Sequence, residues 1–228
     1  AAMAGPWIGR ILAHCGADSV RIESKKRPDV VRLYVPPWNR ELGTQPQLSP
    51  WFTDWNAGKR FVGLDLTHPR AVEIARKLAA KADVVVDNYS TGVLEKLGLG
   101  YEGLRRDNPR LVMISTTGFG NTGPLRRYVT WGSNVEALSG LAQLSGPPER
   151  ECTITQFAYP DAMSAMHGVV AVMAALRHRE RTGEGQHIGV SQYEVTAAAL
   201  GPLLMEYFDT GNEPPKPGNT SRSRAPHG

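Results

Sequence analysis

Asp83-Val84-Val85-Val86-Asp87 is a run of three valines closed at each end by a carboxylate. A strand wet on one face alternates polar and apolar residues. A near-continuous apolar run is what a parallel strand covered on both faces requires. Leu111-Val112-Met113-Ile114-Ser115 repeats the pattern. Two such strands separated by helical segments set the fold class.

The alternation extends outward from this pair. Residues 6–15 read as a helix, with Pro6 in its first turn and Gly16 at its C-terminal end. Residues 20–23 read as a short strand, 25–50 as a long loop rich in proline and charge, and 61–66 as a strand. Residues 69–82 carry apolar positions at Val72, Ile74, Ala75, Leu78 and Ala79, which predicts a helix, with Thr67 as its N-cap. Short helices are expected over 92–97 and 101–106. Helices over 135–144, 161–179 and 193–208 and strands over 152–157 and 187–191 complete the reading. Strands alternating with helices predict an α/β fold, a parallel sheet with right-handed crossovers.

Both ends read as cut. The chain runs at once into a helical pattern, which predicts a strand before Ala1. It ends in Pro214-Pro215-Lys216-Pro217-Gly218-Asn219-Thr220-Ser221-Arg222-Ser223-Arg224, a linker pattern that predicts a further domain after Gly228. Residues 1–212 are therefore read as one domain and 213–228 as a linker. The 228 residues are 41% apolar and 21% charged, the balance of a soluble globular chain. No apolar run approaches the ~18 residues of a membrane span, and no secretory leader pattern opens the chain. Two cysteines far apart offer neither a disulfide framework nor a metal spacing, and a reducing cytoplasm is the expected setting. The net charge of +4 suits an anionic ligand. The basic residues are dispersed and not interleaved with aromatics, which argues against nucleic acid.

Several motifs invite a chemical reading. Gly98-Leu99-Gly100-Tyr101-Glu102-Gly103 has dinucleotide-loop spacing but follows a helix. Gly118-Phe119-Gly120-Asn121-Thr122-Gly123 follows a strand, but Pro124, Arg126 and Arg127 come next, and no apolar helix. Glu136 has the spacing of a ribose carboxylate but lies in a helical pattern. The second loop still leaves a strand C-terminus, where α/β sheets place ligands. His14-Cys15 are neighbours on a helix and do not face one another. His167 stands six positions after Asp161, off its helical neighbours. Asp161 follows Pro160 and opens an almost uncharged helix. Composition favours a cap, and that role is compatible with a nucleophile's, because a helix N-terminus stabilises the carboxylate anion.

Asp161, then Ala174-Ala175-Leu176, then Arg181-Thr182-Gly183-Glu184-Gly185-Gln186, resembles the signature of the class III CoA-transferases, which also include α-methylacyl-CoA racemases. Other blocks resemble the family in order. They are Ala4-Gly5-Pro6 with 16–23, Asn56-Ala57-Gly58-Lys59-Arg60 with Leu64-Asp65-Leu66, and 83–89 with 92–98. Gly118-Phe119-Gly120 with Thr122-Gly123-Pro124, and Ala137-Leu138-Ser139-Gly140-Leu141, complete the series.

The resemblance implies a Rossmann-like parallel sheet with helices on both faces, the large domain of the family III fold. The first strand would precede Ala1, and the small domain would be absent from this chain. It implies transfer of coenzyme A from an acyl-CoA to a carboxylic acid, with Asp161 as nucleophile passing through an aspartyl anhydride and an aspartyl-CoA thioester. A glycine-rich loop beyond residue 228 would help to stabilise the oxyanions. The positions that would meet CoA are Ser24, Leu64, Thr67, Asn88, Tyr89, Lys96 and Gln192. Ser24 stands where a basic residue is usual, so Lys25 or Lys26 would substitute. Met3 stands where some members carry glutamine. Trp131 takes the place of the racemases' histidine, which favours transfer over racemisation. A non-catalytic CoA-binding subunit is the third reading. No metal is implied. Two chains would interlock as a dimer, either identical or with a homologous subunit. Trp38, Trp51, Trp55 and Trp131 suggest either a pocket for a bulky acid or core packing.

Overall fold

The computed structural model describes residues 2–33, 49–220 and 225. Its elements run α1 (Ala4–His14), β1 (Val20–Glu23), a 3-10 turn (Val30–Leu33), α2 (Pro50–Trp55), β2 (Arg60–Gly63) and α3 (Pro69–Ala79). Then follow β3 (Val84–Asp87), α4 (Val93–Lys96), α5 (Tyr101–Asp107), β4 (Val112–Thr117), α6 (Gly132–Ser139) and α7 (Leu141–Leu144). The chain continues with α8 (Tyr159–Thr182), β5 (His187–Ser191), α9 (Gln192–Ala199) and α10 (Gly201–Thr210). Trp38 and most of the expected long loop lie outside the described residues.

Every strand pair is parallel. β1 pairs with β2, Ile22 opposite Val62. β4 lies between β3 and β5, with Val85 opposite Met113 and Ile114 opposite Ile188. Alternate side chains of these strands enter two different cores. On one face Val85 and Met113 meet Ala75 and Ala79 of α3, Leu94 of α4 and Leu104 of α5. On the other, Val84, Val86, Ile114 and Ile188 meet Ile8 of α1 and Ala165 and Val172 of α8. The valine run is apolar throughout because each of its residues serves one core or the other. Ile114, Val112 and Leu111 are wholly buried, and each such side chain contributes about 1.5–3 kcal/mol of transfer free energy.

Small residues let the helices come close. A β-carbon on Gly168 of α8 would lie 2.8 Å from Cδ1 of Ile8 and 3.0 Å from Cδ1 of Ile114. Among the described residues the two parallel blocks, β1–β2 and β3–β4–β5, are not paired with each other. β1 and β3 both line one cavity of about 2480 Å³, which continues to the C-terminal ends of the strands.

Four local expectations are corrected. Residues 152–157 form no strand. Their backbone is spent elsewhere: the Thr153 amide donates to Ala142 O at 3.1 Å and the Thr155 amide to the Glu136 carboxylate at 3.0 Å. The helix expected over 135–144 starts at Gly132 and breaks at Gly140, whose φ of +89° is left-handed. The helix expected over 193–208 starts at Gln192 and breaks at Leu200, because Pro202 cannot donate to the preceding turn. The α3 cap is His68, whose Nδ1 accepts from Arg70 N at 3.2 Å, not Thr67. The Thr67 hydroxyl is taken by Asp65 at 2.7 Å.

Candidate active site

Asp161 is the third residue of α8, one position inside Pro160. Ala158 is the residue that caps the helix, so the expected N-cap role of Asp161 is corrected. Helix entry needs no side-chain cap here, because Pro160 brings a preset φ and has no N–H to satisfy. This frees the carboxylate for partners outside its own helix. Oδ1 accepts from Ala4 N of α1 and from Nε2 of Gln192 of α9, each at 3.3 Å. Three helices thus meet at one oxygen. Behind it the Ser164 hydroxyl donates to Pro160 O at 2.6 Å and ties down the first turn.

The second oxygen is hemmed in by backbone. A β-carbon on Gly132, the first residue of α6, would lie 2.8 Å from Oδ2 and 2.9 Å from Cβ of Ala158. Glu136, one turn further along α6, is buried and holds Thr155 through both its carboxylate oxygens. It is a structural clamp on the segment that leads into α8, not a ribose ligand. Burial pushes the Asp161 carboxyl above the usual carboxylate range, and the Ala4 amide and Gln192 oppose that rise. The first turn of α8 adds about 0.3–1 kcal/mol in favour of the anion. The result is a carboxylate that is poorly solvated, held by two N–H groups and open to the cavity.

Most of the expected binding positions share that cavity. Ser24, Leu64, Thr67, Asn88, Tyr89 and Gln192 line it with Asp161. Asn88 is fixed from both sides: its Oδ1 accepts from Gly5 N at 3.2 Å and its Nδ2 donates to Thr116 O at 2.8 Å. Tyr89 is half-exposed, and its amide donates to Asp87 at 2.8 Å. Lys25 and Lys96 are exposed and stand outside the cavity wall. Lys26 does line it, paired with Asp65 at 2.7 Å. Trp51, Trp55 and Trp131 line it too, with Trp131 more than half exposed and Trp55 buried. Met3 is buried beside Phe52 and Ala162. Gly118 lies against Thr130 in the wall that carries Trp131.

The residues missed in the sequence act through backbone. Ala4 contributes an amide and Gly132 a missing side chain, and neither has a chemical signature of its own. Glycine directly before a helical pattern at Gly132 was the available signal. His14 and Cys15 face solvent at the end of α1, and His167 bonds to Met163 O of its own helix at 2.8 Å. Among the described residues no group of three or more His, Cys, Asp or Glu side chains could hold a metal ion. No helix among them is long and apolar enough to cross a membrane.

Comparison with known proteins places the chain in a family. The sequence is 35% identical over 225 residues to a succinate–glutarate CoA-transferase of Agrobacterium fabrum, covering 99% of this chain and 56% of that protein. It is 35% identical over 206 residues to the beta subunit of a succinyl-CoA–L-malate CoA-transferase of Chloroflexus aurantiacus, covering 90% of this chain and 49% of that one. The chain thus spans about half the length of the curated relatives it matches. A crystal structure of a CAIB/BAIF family protein from Brucella suis superposes with a TM-score of 0.90 at 34% identity, covering 99% of this chain and 59% of that one. A sequence model described as CoA-transferase family III matches residues 1–228, and the chain belongs to that family.

Proposed function

We propose that this chain is the Rossmann-like large domain, with its linker, of an enzyme that moves coenzyme A from an acyl-CoA to a carboxylic acid. The observation that carries the reading is the Asp161 carboxylate. It is desolvated, bonded to Ala4 and Gln192 and open to the cavity. An ionised carboxylate freed from water is a competent nucleophile toward a thioester.

The steps follow from that role. Asp161 attacks the thioester carbonyl, the C–S bond breaks, and an aspartyl–acyl anhydride and CoA thiolate result. The thiolate attacks the aspartyl carbonyl, which releases the donor acid and leaves an aspartyl-CoA thioester. The acceptor carboxylate attacks that thioester and expels the thiolate again. The thiolate then attacks the acceptor's carbonyl, giving the new acyl-CoA and the free Asp161 carboxylate. Gln192 and the Ala4 amide hold the carboxylate in line throughout. Ser24, Leu64, Thr67, Asn88, Tyr89 and Gln192 are the proposed CoA contacts within the cavity, and Lys25 and Lys96, exposed outside its wall, are proposed to meet the part of CoA that extends beyond it.

The enzyme is proposed to work in the cytoplasm as an interlocked dimer, of two identical chains or with a homologous subunit. An apolar stripe on α8, Met166, Val170 and Met173, and another on α10, Met205 and Phe208, are more than half exposed and support a large partner surface. A parallel strand preceding Ala1 is proposed to lie between β1 and β3, both of which line the cavity.

The test is a panel of acyl-CoA donors and carboxylic acids presented to the full-length protein, read by mass spectrometry. New CoA thioesters that vanish in Asp161→Ala support transfer. Deuterium uptake at the α-carbon without any acceptor acid would point to a racemase, and CoA binding without turnover to a non-catalytic subunit.

A further inference from the structure

The motif Asn56-Ala57-Gly58-Lys59-Arg60 has no task in the site described above. Its geometry supplies one. α2 ends at Trp55, and Gly58, with φ of +76°, turns the chain back beneath the helix. The Lys59 ammonium then faces three acceptors. Nζ donates to Pro6 O at 2.5 Å, to Trp55 O at 3.0 Å and to Asn56 Oδ1 at 2.9 Å, so all three of its protons are used. Trp55 O belongs to the last turn of α2, where carbonyls lack helical partners and a cation is favoured. Asn56 is itself buried and fixed: Nδ2 donates to Phe52 O at 2.9 Å, and Oδ1 also receives Arg21 Nη1 at 2.5 Å. α1 makes room for the lysine stem at Gly9, where a β-carbon would lie 3.2 Å from Lys59 Cε.

The third acceptor matters for the nucleophile. Pro6 lies in the first turn of α1, two residues after Ala4, whose amide bonds Asp161. Gly5, between them, donates its amide to Asn88 Oδ1. That turn is therefore pinned in front by Asp161 and Asn88 and behind by Lys59. We propose that Lys59 is a positioning residue, whose ammonium fixes the first turn of α1 and so holds the Ala4 amide against Asp161. The inference rests on the role of Asp161 proposed above. Burial, together with Arg21 of β1 and Arg10 of α1, draws the Lys59 ammonium down to about 7, and only Asp29, before the 3-10 turn, opposes them. Arg10 is in turn paired with Asp54 of α2 at 2.7 Å. Three acceptors within 3.0 Å of Nζ hold the amine in one place whatever that desolvation costs its charge.

The test uses the full-length protein with Lys59→Met and Lys59→Cys, the latter before and after alkylation with 2-bromoethylamine, which rebuilds an ammonium on a stem of lysine length. Misplacement of a reacting group by about an ångström can cost ~100-fold. In Lys59→Met, kcat is expected to fall roughly 10- to 100-fold while KM for the acyl-CoA stays within about two-fold, the mark of an interaction expressed in the transition state. Alkylation of Lys59→Cys should restore most of kcat. The unsubstituted protein, alkylated in the same way, is the control. If Lys59→Met does not fold, the same Lys59→Cys sample before and after alkylation decides. Unchanged kcat in Lys59→Met, a rise in KM alone, or no recovery in folded alkylated protein would overturn the proposal. Failure of the underlying reading looks different, because Asp161→Ala would then be as active as the unsubstituted protein.

Discussion

Gly132 lies so close to Asp161 that a β-carbon on it would stand 2.8 Å from Oδ2. The same carbon would meet Ala158, which leads directly into α8, so neither neighbour can give way without moving the first turn. Gly132→Ala should therefore displace the carboxylate from its two N–H partners. Steady-state kinetics should show kcat lowered by about 100-fold, the order expected for a misaligned reacting group. Parent-like kcat would mean that the carboxylate is free to move.

The pH dependence should carry the signature of a buried carboxylate. Asp161 must be ionised to attack, and burial holds its pKa above the usual range. The activity limb on the acid side should therefore fall as pH drops through that raised value, and not through the ordinary carboxylate range near 4. Gln192→Leu removes one donor to the anion, so it should move the limb to higher pH. A pH profile of kcat/KM for both proteins checks this. No upward shift would remove Gln192 from the account.

Asp87 provides a stability test away from the nucleophile. Its carboxylate accepts from Tyr89 N at 2.8 Å and from Ser115 Oγ at 3.2 Å, and Ser115 also contacts His187 Nε2 at 2.9 Å. Burial, with Glu95 adding to it, still raises its pKa from 3.8 to about 6. The folded state then holds a proton that the unfolded chain has lost between about pH 4 and 6, so stability falls as pH rises through this window. Two units correspond to about 3 kcal/mol. Asp87→Asn keeps a hydrogen-bonding group of the same shape without the charge. It should raise the denaturation midpoint at pH 8 and flatten the slope between pH 4 and 6, which urea melts at several pH values would measure.

Gly185 should be intolerant for steric reasons alone. Its amide donates to Pro109 O at 2.9 Å, and a β-carbon would overlap the carbonyl of Leu111, the residue before β4. Gly185→Ala should cost about 1–3 kcal/mol, the range for forced overpacking with backbone shifts. Thermal melting is the check.

The sheet was legible because its strands are covered on both faces, so Val84 to Val86 and Val112 to Ile114 carry an unbroken apolar signal. Helix existence was equally legible in α1, α3 and α8. Helix ends were less so. His68 and Thr67 are both able to cap α3, and only the position of Asp65 decides between them. Residues 152–157 have strand-like composition, but a strand exists only where a partner ladder does, and the Glu136 carboxylate takes that role instead. Asp161 stood out in the sequence as the single acid opening a helix that carries no further charged residue before Arg177. Its partners did not, because a backbone amide at Ala4, an absent side chain at Gly132 and a turn held from behind by Lys59 become visible only when distant segments meet.

The central claim is that Asp161 becomes covalently acylated. The direct measurement is to incubate the full-length protein with an acyl-CoA, trap with hydroxylamine or reduce with borohydride, and map the modified peptide by mass spectrometry. The account predicts modification at Asp161, dependent on the thioester and absent in Asp161→Ala. No modification at Asp161, with Asp161→Ala transferring CoA as fast as the unsubstituted protein, would contradict it.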